Sequence, residues 1–177
     1  MLEFITNTDL NILLFIQDSI RIPWLTPVVV FITSLGNAGI FWIVVSLLLL
    51  IPKRTRRIGC MSFAALFASL LLNNVLLKNV VRRIRPYDLC DMLHPLVVKP
   101  VDFSFPSGHT GSSFAAAFVL YRQLPKKAGI PLLLLAVLIG LSRLYVGVHY
   151  PSDVFVGMLT GLGSGYLAER IVLKYGR

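Results

Sequence analysis

The sequence predicts an all-α, polytopic membrane helix bundle of about six helices, formed as a single domain over residues 1–177. Hydrophobic residues make up 56% of the chain and charged residues 14%, whereas soluble domains carry about a quarter charged residues. Several apolar runs approach the roughly 20 residues that a helix needs to cross a bilayer. The net charge of +9 sits mainly at the ends of these runs, so it favours membrane topology and an anionic substrate over nucleic acid.

The N-terminal part, residues 1–36, is predicted to contain two short apolar helices at 3–20 and 24–35, separated by Pro23. Each is short for a membrane crossing. They either supply one crossing together or lie in the membrane interface. The membrane core is expected to follow over residues 38–173.

The core contains five further apolar segments, each ended by a proline, a polar loop or basic residues. Helices are predicted over 38–51, 58–81, 107–122, 128–148 and 151–173, with a polar loop over 82–106. The last helix starts at a proline, a residue that suits a first helical turn.

Basic clusters divide the helix ends between two sides. If successive helices alternate in direction, the clusters at 53–57, 122–127 and 170–177 all fall on one side. The positive-inside rule makes that side cytoplasmic. The loop over 86–106, with its excess of acidic residues, then lies outside. The sequence therefore predicts a multi-pass protein of the plasma membrane.

Three polar blocks interrupt this apolar pattern, and the alternation of helices brings all three to the outer end of the bundle. They are Lys78-Asn-Val-Val-Arg-Arg-Ile-Arg85-Pro86, Phe105-Pro-Ser-Gly-His109 and Ser142-Arg-Leu-Tyr-Val-Gly-Val-His149-Tyr-Pro-Ser-Asp153. Residues that are far apart in the sequence are therefore expected to form one site.

The basic residues of these blocks suit a phosphate. Lys78 and Arg85 are seven positions apart, about two helical turns, so they can face the same way. Arginine offers a fork that matches phosphate oxygens, and lysine adds a compact charge. Ser107 and Gly108 open a helix whose first N–H groups can bind an anion at close range. With Arg143, these residues predict an anion cage for a transferring phosphoryl group.

The two histidines supply the chemistry that the cage lacks. Histidine can act as a covalent nucleophile. Asp153, four residues after His149, can accept the N–H of one ring nitrogen and leave the other nitrogen free to attack. His109 can protonate the leaving oxygen and then activate water. No acidic cluster accompanies these residues, so neither a metal nor another cofactor is expected.

The three blocks resemble the type 2 phosphatidic acid phosphatase superfamily of membrane lipid phosphatases. Its pattern is Lys, six residues, Arg-Pro; then Pro-Ser-Gly-His; then Ser-Arg, five residues, His, three residues, Asp, and every spacing is present here. The resemblance implies an all-helical fold with six crossings and no metal. It implies a phosphohistidine on His149, with His109 as general acid and Asp153 as its orienting partner. The implied phosphate contacts are Lys78, Arg85, Ser107, Gly108 and Arg143.

The resemblance leaves the substrate open. Undecaprenyl pyrophosphate is favoured because the chain is small, and phosphatidylglycerol phosphate and phosphatidic acid are the alternatives. A lipid phosphotransferase would use the same site with an alcohol as the acceptor. A non-catalytic anion or lipid transporter would explain the intramembrane cations but not the histidines and the aspartate. The related soluble vanadium haloperoxidases do not fit so hydrophobic a chain.

Several other residues receive structural interpretations. Arg82 and Arg83 are expected to face lipid headgroups, as basic residues at helix ends often do. Four aromatic residues are expected to be interfacial, namely Trp24, Trp42, Tyr145 and Tyr150. Glycines recur every fourth residue from 157 to 165. This stripe favours close helix packing within the chain, with a homodimer face as the alternative.

Overall fold

The fold was derived from a computed structural model, which describes residues 2–175. The end of the predicted basic cluster, including Arg177, lies outside them. The described residues contain no β-strand. The α-helices are α1 (Leu2–Phe15), α2 (Thr26–Leu35), α3 (Ile40–Leu50), α4 (Arg56–Ser69), α5 (Lys78–Val81), α6 (Pro86–Leu89), α7 (Gly108–Gln123), α8 (Lys126–Tyr145) and α9 (Pro151–Tyr175). The all-α prediction is confirmed.

Short segments of other helical type connect some of these helices. Ile16–Ile20 and Leu70–Leu77 are π-helical, and Asn37–Gly39 is a 3₁₀ turn. The segment Leu70–Leu77 joins α4 to α5, and such π segments often occur at functional sites. The predicted polar loop over 82–106 differs from expectation in containing α6, which starts at Pro86.

Two helical stretches are long and apolar enough to cross a membrane: Arg56–Leu89 and Lys126–Tyr145. The pair Thr26–Leu35 and Asn37–Leu50, bent by 46° at its break, adds a third if it forms one span. The chain is therefore a membrane protein by length and composition. Six crossings remain a prediction, and so does the single domain with its membrane core at residues 38–173.

Helix α7 lies at the centre of the bundle and packs against α4, α8 and α9. Small side chains allow this, since Ala115, Ala116 and Ala117 are completely buried. The glycine stripe of α9 faces α7. A Cβ atom added at Gly161 would lie 2.5 Å from the Gly111 carbonyl oxygen. The predicted close packing within the chain is confirmed, and a homodimer, which stays a prediction, would need another face.

Three of the four aromatic residues expected at the membrane interface, Trp42, Tyr145 and Tyr150, are instead buried, whereas Trp24 is 70% exposed. Trp42 is completely buried and its Nε1 donates a hydrogen bond of 2.9 Å to Ser113 Oγ on α7. Tyr150 is 1% exposed. The prediction is wrong for these three residues because an apolar run does not reveal which of its aromatic rings has a polar partner inside the bundle.

The antiparallel course of the helices separates the two ends of the bundle. One end, here called the site end, holds Lys78, the last turn of α8 and the first turns of α7 and α9. The opposite end holds the basic residues that precede α4, end α7 and begin α8. All three polar blocks therefore lie at one end, as the alternation of helices predicts.

Candidate active site

A cavity of about 300 Å³ opens at the site end of the bundle. Its polar wall collects residues from all three blocks, namely Lys78, Arg85, Gly108, His109, Arg143 and His149, together with Asn74 and Asp102. The fold thus brings six of the eight predicted site residues to one cavity wall.

Lys78 and Arg85 do face the same way, and a loop carboxylate joins them. Asp102 accepts a hydrogen bond of 2.6 Å from Arg85 Nη2 at its Oδ1, and its Oδ2 pairs with Lys78 Nζ. Arg85 is 3% exposed and Lys78 is 7% exposed, whereas the Asp102 side chain is 52% exposed. Although partial burial raises the pKa of Asp102, the hydrogen bonds and charges of both cations outweigh it and lower that pKa to about 2. Asp102 is therefore a carboxylate at neutral pH.

Arg143 is the third buried cation. It lies in the last turn of α8 and is 3% exposed. Its Nη1 donates to Thr33 Oγ1 of α2 at 2.7 Å, while its Nε has no hydrogen-bond partner among the described residues. A buried guanidinium N–H without an acceptor is costly, so this N–H is available to an anion in the cavity, and the phosphate contact expected of Arg143 stays a prediction.

His149 follows a turn that ends α8. Gly147 has a φ of 77°, the left-handed region that favours glycine. His149 is 2% exposed, and its Nδ1 lies 3.4 Å from Asp153 Oδ2. This separation exceeds an ordinary N–H···O distance; such contacts often tighten when substrate binds. Burial lowers the pKa of His149 to about 4, so its imidazole is neutral at pH 7.

The other ring nitrogen of His149 lies beside the cage. Its Nε2 is 3.4 Å from Arg85 Nη1. A guanidinium has only donors to offer, so this nitrogen is suited to carry the lone pair while Nδ1, opposite the Asp153 carboxylate, carries the proton.

The helix start predicted at Ser107 and Gly108 is confirmed. Ser107 is the N-cap of α7, and its Oγ accepts hydrogen bonds from Thr110 N and Thr110 Oγ1. Ser107 is completely buried and lies behind the cavity wall, so its role as a phosphate contact stays a prediction. Gly108 lies close to Asn74 of the π-helical segment Leu70–Leu77, because a Cβ atom added at Gly108 would lie 2.7 Å from Asn74 Oδ1.

His109 lies at the mouth of α7. Its Nε2 is 2.9 Å from Asn37 Oδ1, in the turn between α2 and α3. The two histidines therefore share one cavity, as the sequence predicts, but His109 is held by a residue that the three blocks do not contain.

The interpretation of Arg83 as a headgroup-facing residue is wrong. Its guanidinium bonds to Asp153 Oδ1 at 2.7 Å and to Asp9 Oδ2 at 2.8 Å. Arg82, its neighbour, is exposed as expected. Helix-end position alone does not separate the two arginines, because the local turn decides which one points inward.

Sequence reasoning missed five residues that bond to the site or to its neighbours: Asp9, Thr33, Asn37, Asp102 and Ser104. Three of them lie in the N-terminal helices or their turn, far from the blocks in sequence. Asp102 offers one usable signal, since it is an acid placed five residues before the Ser107 cap. Within residues 2–175, no group of three or more His, Cys, Asp and Glu side chains is arranged to hold a metal ion.

Comparison with known proteins identifies relatives over most of the chain. The PAP2 superfamily model matches residues 57–177. An undecaprenyl-diphosphatase of Sulfolobus acidocaldarius is 36% identical over 93% of this chain and 80% of its own length. Phosphatidylglycerophosphatase B of Bacillus subtilis is 33% identical over 81% of this chain and 73% of its own length.

Solved structures agree. The crystal structure of a transmembrane PAP2-type phosphatidylglycerolphosphate phosphatase from Bacillus subtilis aligns with a TM-score of 0.78 and 32% identity, over 96% of this chain and 86% of that one. Aquifex aeolicus LpxE aligns with a TM-score of 0.79 and 30% identity, over 94% of each chain. The sequence match and the shared fold together place this chain in the PAP2 superfamily.

Proposed function

We propose that this protein is a lipid phosphatase that removes phosphate through a phosphohistidine on His149. Membership of the superfamily makes it a hydrolase that acts on phosphate esters or diphosphates. The observation that carries the proposal is the single cavity in which a neutral histidine, backed by Asp153, faces three buried cations.

Substrate binding begins with an exchange of anions. The phosphate of the substrate replaces the Asp102 carboxylate on Lys78 and Arg85, and it also accepts from the unpartnered Nε of Arg143. The first N–H groups of α7, beginning at Gly108, add donors at a helix N-terminus. The cage holds the phosphorus beside His149 and stabilises the charge that grows on its oxygens.

The reaction then proceeds in two displacements. His149 Nε2 donates its lone pair to phosphorus, and the bond from phosphorus to the leaving oxygen breaks. His109, protonated in the substrate complex, gives its second ring proton to that oxygen and becomes neutral. In the second step, His109 takes a proton from water, the water oxygen attacks phosphorus, the P–N bond breaks and inorganic phosphate leaves. Asp153 keeps the His149 proton on Nδ1 throughout.

The other wall of the cavity supports a lipid substrate. It is lined by Ile43 of α3, by Phe63, Leu66 and Phe67 of α4, and by Leu70 of the π-helical segment that follows α4. A hydrocarbon chain can pack against this wall while its phosphate lies in the cage. We favour undecaprenyl pyrophosphate, because the relative named as an undecaprenyl-diphosphatase matches 93% of this chain. The alternatives are phosphatidylglycerol phosphate, for which a relative that matches 81% of the chain is named, and phosphatidic acid.

Assay of the purified protein tests this function. Phosphate release from a panel of these three lipids is measured in excess EDTA, with His149→Ala as the control. We expect release from at least one lipid, undiminished by chelation, since the cage supplies cationic side chains in place of a metal. Binding without release would favour the anion transporter, and transfer of phosphate to an added alcohol but not to water would favour the phosphotransferase.

We further propose that the site faces outward from the plasma membrane, because the exposed basic clusters at 53–57 and 122–127 lie at the opposite end of the bundle. Cys60 and Cys90 are both free and lie near opposite ends of the span Arg56–Leu89. With Cys60 replaced by serine, an impermeant thiol reagent is expected to label Cys90 in intact cells. Labelling of Cys90 that appears only in inverted vesicles, which expose the cytoplasmic face, would reverse the orientation.

A further inference from the structure

A second ionic cluster lies behind the proposed nucleophile. Asp153 has two carboxylate oxygens, and only Oδ2 is near His149 Nδ1. Its Oδ1 accepts a hydrogen bond of 2.7 Å from Arg83 Nη1. Among residues 2–175, Arg83 and His149 are the only basic side chains within salt-bridge distance of Asp153. The orientation of this carboxylate is therefore set from both sides.

Asp153 has no exposed surface, and every contact it makes is with protein. Its Oδ2 also accepts hydrogen bonds from Ser104 Oγ and from Tyr150 N, the latter at 3.1 Å. These neutral donors fix one oxygen, while Arg83 supplies the charge that compensates the carboxylate on the other. A buried charge left without such a partner is strongly destabilised.

Arg83 is held in turn by the N-terminal helix. Its Nη2 donates a hydrogen bond of 2.8 Å to Asp9 Oδ2 on α1, and Asp9 is 5% exposed. Asp9 also accepts from Ser152 through N, at 3.2 Å, and through Oγ. Ser152 precedes Asp153 in the first turn of α9, so one carboxylate ties α1 to both the arginine and the helix that carries Asp153.

The guanidinium of Arg83 has a third neighbour. It lies 3.7 Å from the centroid of the Tyr150 ring, a distance at which a cation and an aromatic face attract. Tyr150 directly follows His149 and is 1% exposed. The plane of the arginine is thus fixed by Asp9, Asp153 and Tyr150 together, which leaves it little freedom to move away from the site.

These contacts extend the site beyond the segment that defines the family. The superfamily model matches residues 57–177, and Asp9 lies well before it. We propose that Arg83, anchored by Asp9 of α1, is a positioning residue that holds the Asp153 carboxylate in the orientation His149 needs for attack. This inference rests on the proposed function, with His149 as the nucleophile.

The inference predicts a loss of turnover without a loss of substrate affinity. Arg83→Ala is expected to lower kcat by about 10- to 100-fold, since a misplacement of about 1 Å can cost that much. The KM is expected to stay within about twofold, because Lys78, Arg85 and Arg143 are untouched. Arg83→Lys, which keeps the charge, is expected to recover part of the loss. Arg82→Ala, at the exposed neighbour, is the matched control.

A double-mutant cycle separates positioning from a merely structural role. If Arg83 acts through Asp153, adding Arg83→Ala to Asp153→Asn costs little further kcat, because there is no longer an ionised carboxylate to position. If Arg83→Ala only destabilised the fold, it would lower kcat by the same factor in the wild type and in Asp153→Asn. Kinetics are measured on monodisperse protein well below the melting temperature of each variant, so that the fraction folded does not enter kcat.

Asp9→Asn tests the contribution of α1 and is the milder change. We expect kcat to fall by about three- to tenfold with KM unchanged, and Asp9→Asn added to Arg83→Ala to have no further effect. Asp18→Asn, an exposed acid of the same N-terminal segment, is the control. Wild-type kcat in both Arg83→Ala and Asp9→Asn would overturn the inference, as would additive losses in the cycle. Activity retained by His149→Ala in the same series would instead overturn the proposed function.

Discussion

The two ends of the bundle each hold an ion pair between a buried and a half-exposed side chain, but with opposite signs. At the site end, Lys78 is 8% exposed at its side chain and its partner Asp102 is 52% exposed. At the opposite end, Glu169 is 2% exposed and its partner Arg122 is 52% exposed. In the pair at the cavity the buried partner is the cation, and in the pair at the opposite end the buried partner is the acid.

The difference separates a site from a structural pair. Burying a charge is costly unless a partner satisfies it. Glu169 is satisfied from within, since it accepts from Arg122 Nε at 2.8 Å and also from Gln123 Nε2. At the site end, Lys78 and Arg85 pair with an exposed loop acid, which we propose the phosphate replaces, and Arg143 Nε has no partner among the described residues. Incomplete satisfaction at a cavity is what distinguishes the two ends.

Removal of a buried cation gives the largest expected effect. Arg85→Ala takes away bonds to Asp102 and the donor nearest His149 Nε2. We expect kcat/KM to fall by about 10²- to 10³-fold, the usual cost of losing a donor that stabilises transition-state charge. Arg56→Ala, at an exposed arginine of the opposite end, is the matched control and is expected to leave kcat/KM unchanged. Equal effects at the two ends would remove the distinction between them.

Removal of the Asp102 carboxylate is expected to strengthen the binding of phosphate rather than weaken it. Asp102→Ala frees Lys78 and Arg85, so inorganic phosphate is expected to inhibit about two- to fivefold more tightly, the scale of a half-exposed ion pair. Because the hydrogen bonds and charges of the two cations hold the pKa of Asp102 at about 2, the gain is expected to be constant from about pH 5 to 8 apart from phosphate's own titration. Asp91→Ala, elsewhere in the same loop, is the control, and weaker inhibition in Asp102→Ala would show that Asp102 belongs to the phosphate site.

The smallest effect on activity is expected at the opposite end. Glu169→Gln removes a buried charge that two side chains bond, at an expected cost of about 1–3 kcal/mol in the free energy of unfolding. We expect a lower melting temperature and an unchanged kcat. A kcat that fell with the charge would mean that the two ends are coupled.

Most helix boundaries can be predicted from the sequence, because the signals that set them are local. Apolar runs, Pro151 and the Ser107 cap predict the starts of α7 and α9 correctly. The end of α8 is predicted three residues late, because the left-handed turn at Gly147 breaks an apolar run that continues to Val148.

The candidate site is predictable where residues share fixed spacings and not where the contact is tertiary. Lys78 and Arg85 are found because they lie on one helical segment. Asp9 and Arg83 are not, because their meeting depends on how α1 packs against the start of α9. No local pattern encodes a contact 74 residues apart.

Capture of the covalent intermediate tests whether His149 is the nucleophile. Lipid substrate labelled with ³²P at its terminal phosphate is mixed with enzyme and quenched rapidly in base, where a phosphohistidine survives. The protein is digested and the labelled peptide is identified. We expect label on the peptide that contains His149, in the wild type and in a slowed His109→Ala variant, and none in His149→Ala. Label on another residue, or full turnover by His149→Ala, would contradict it.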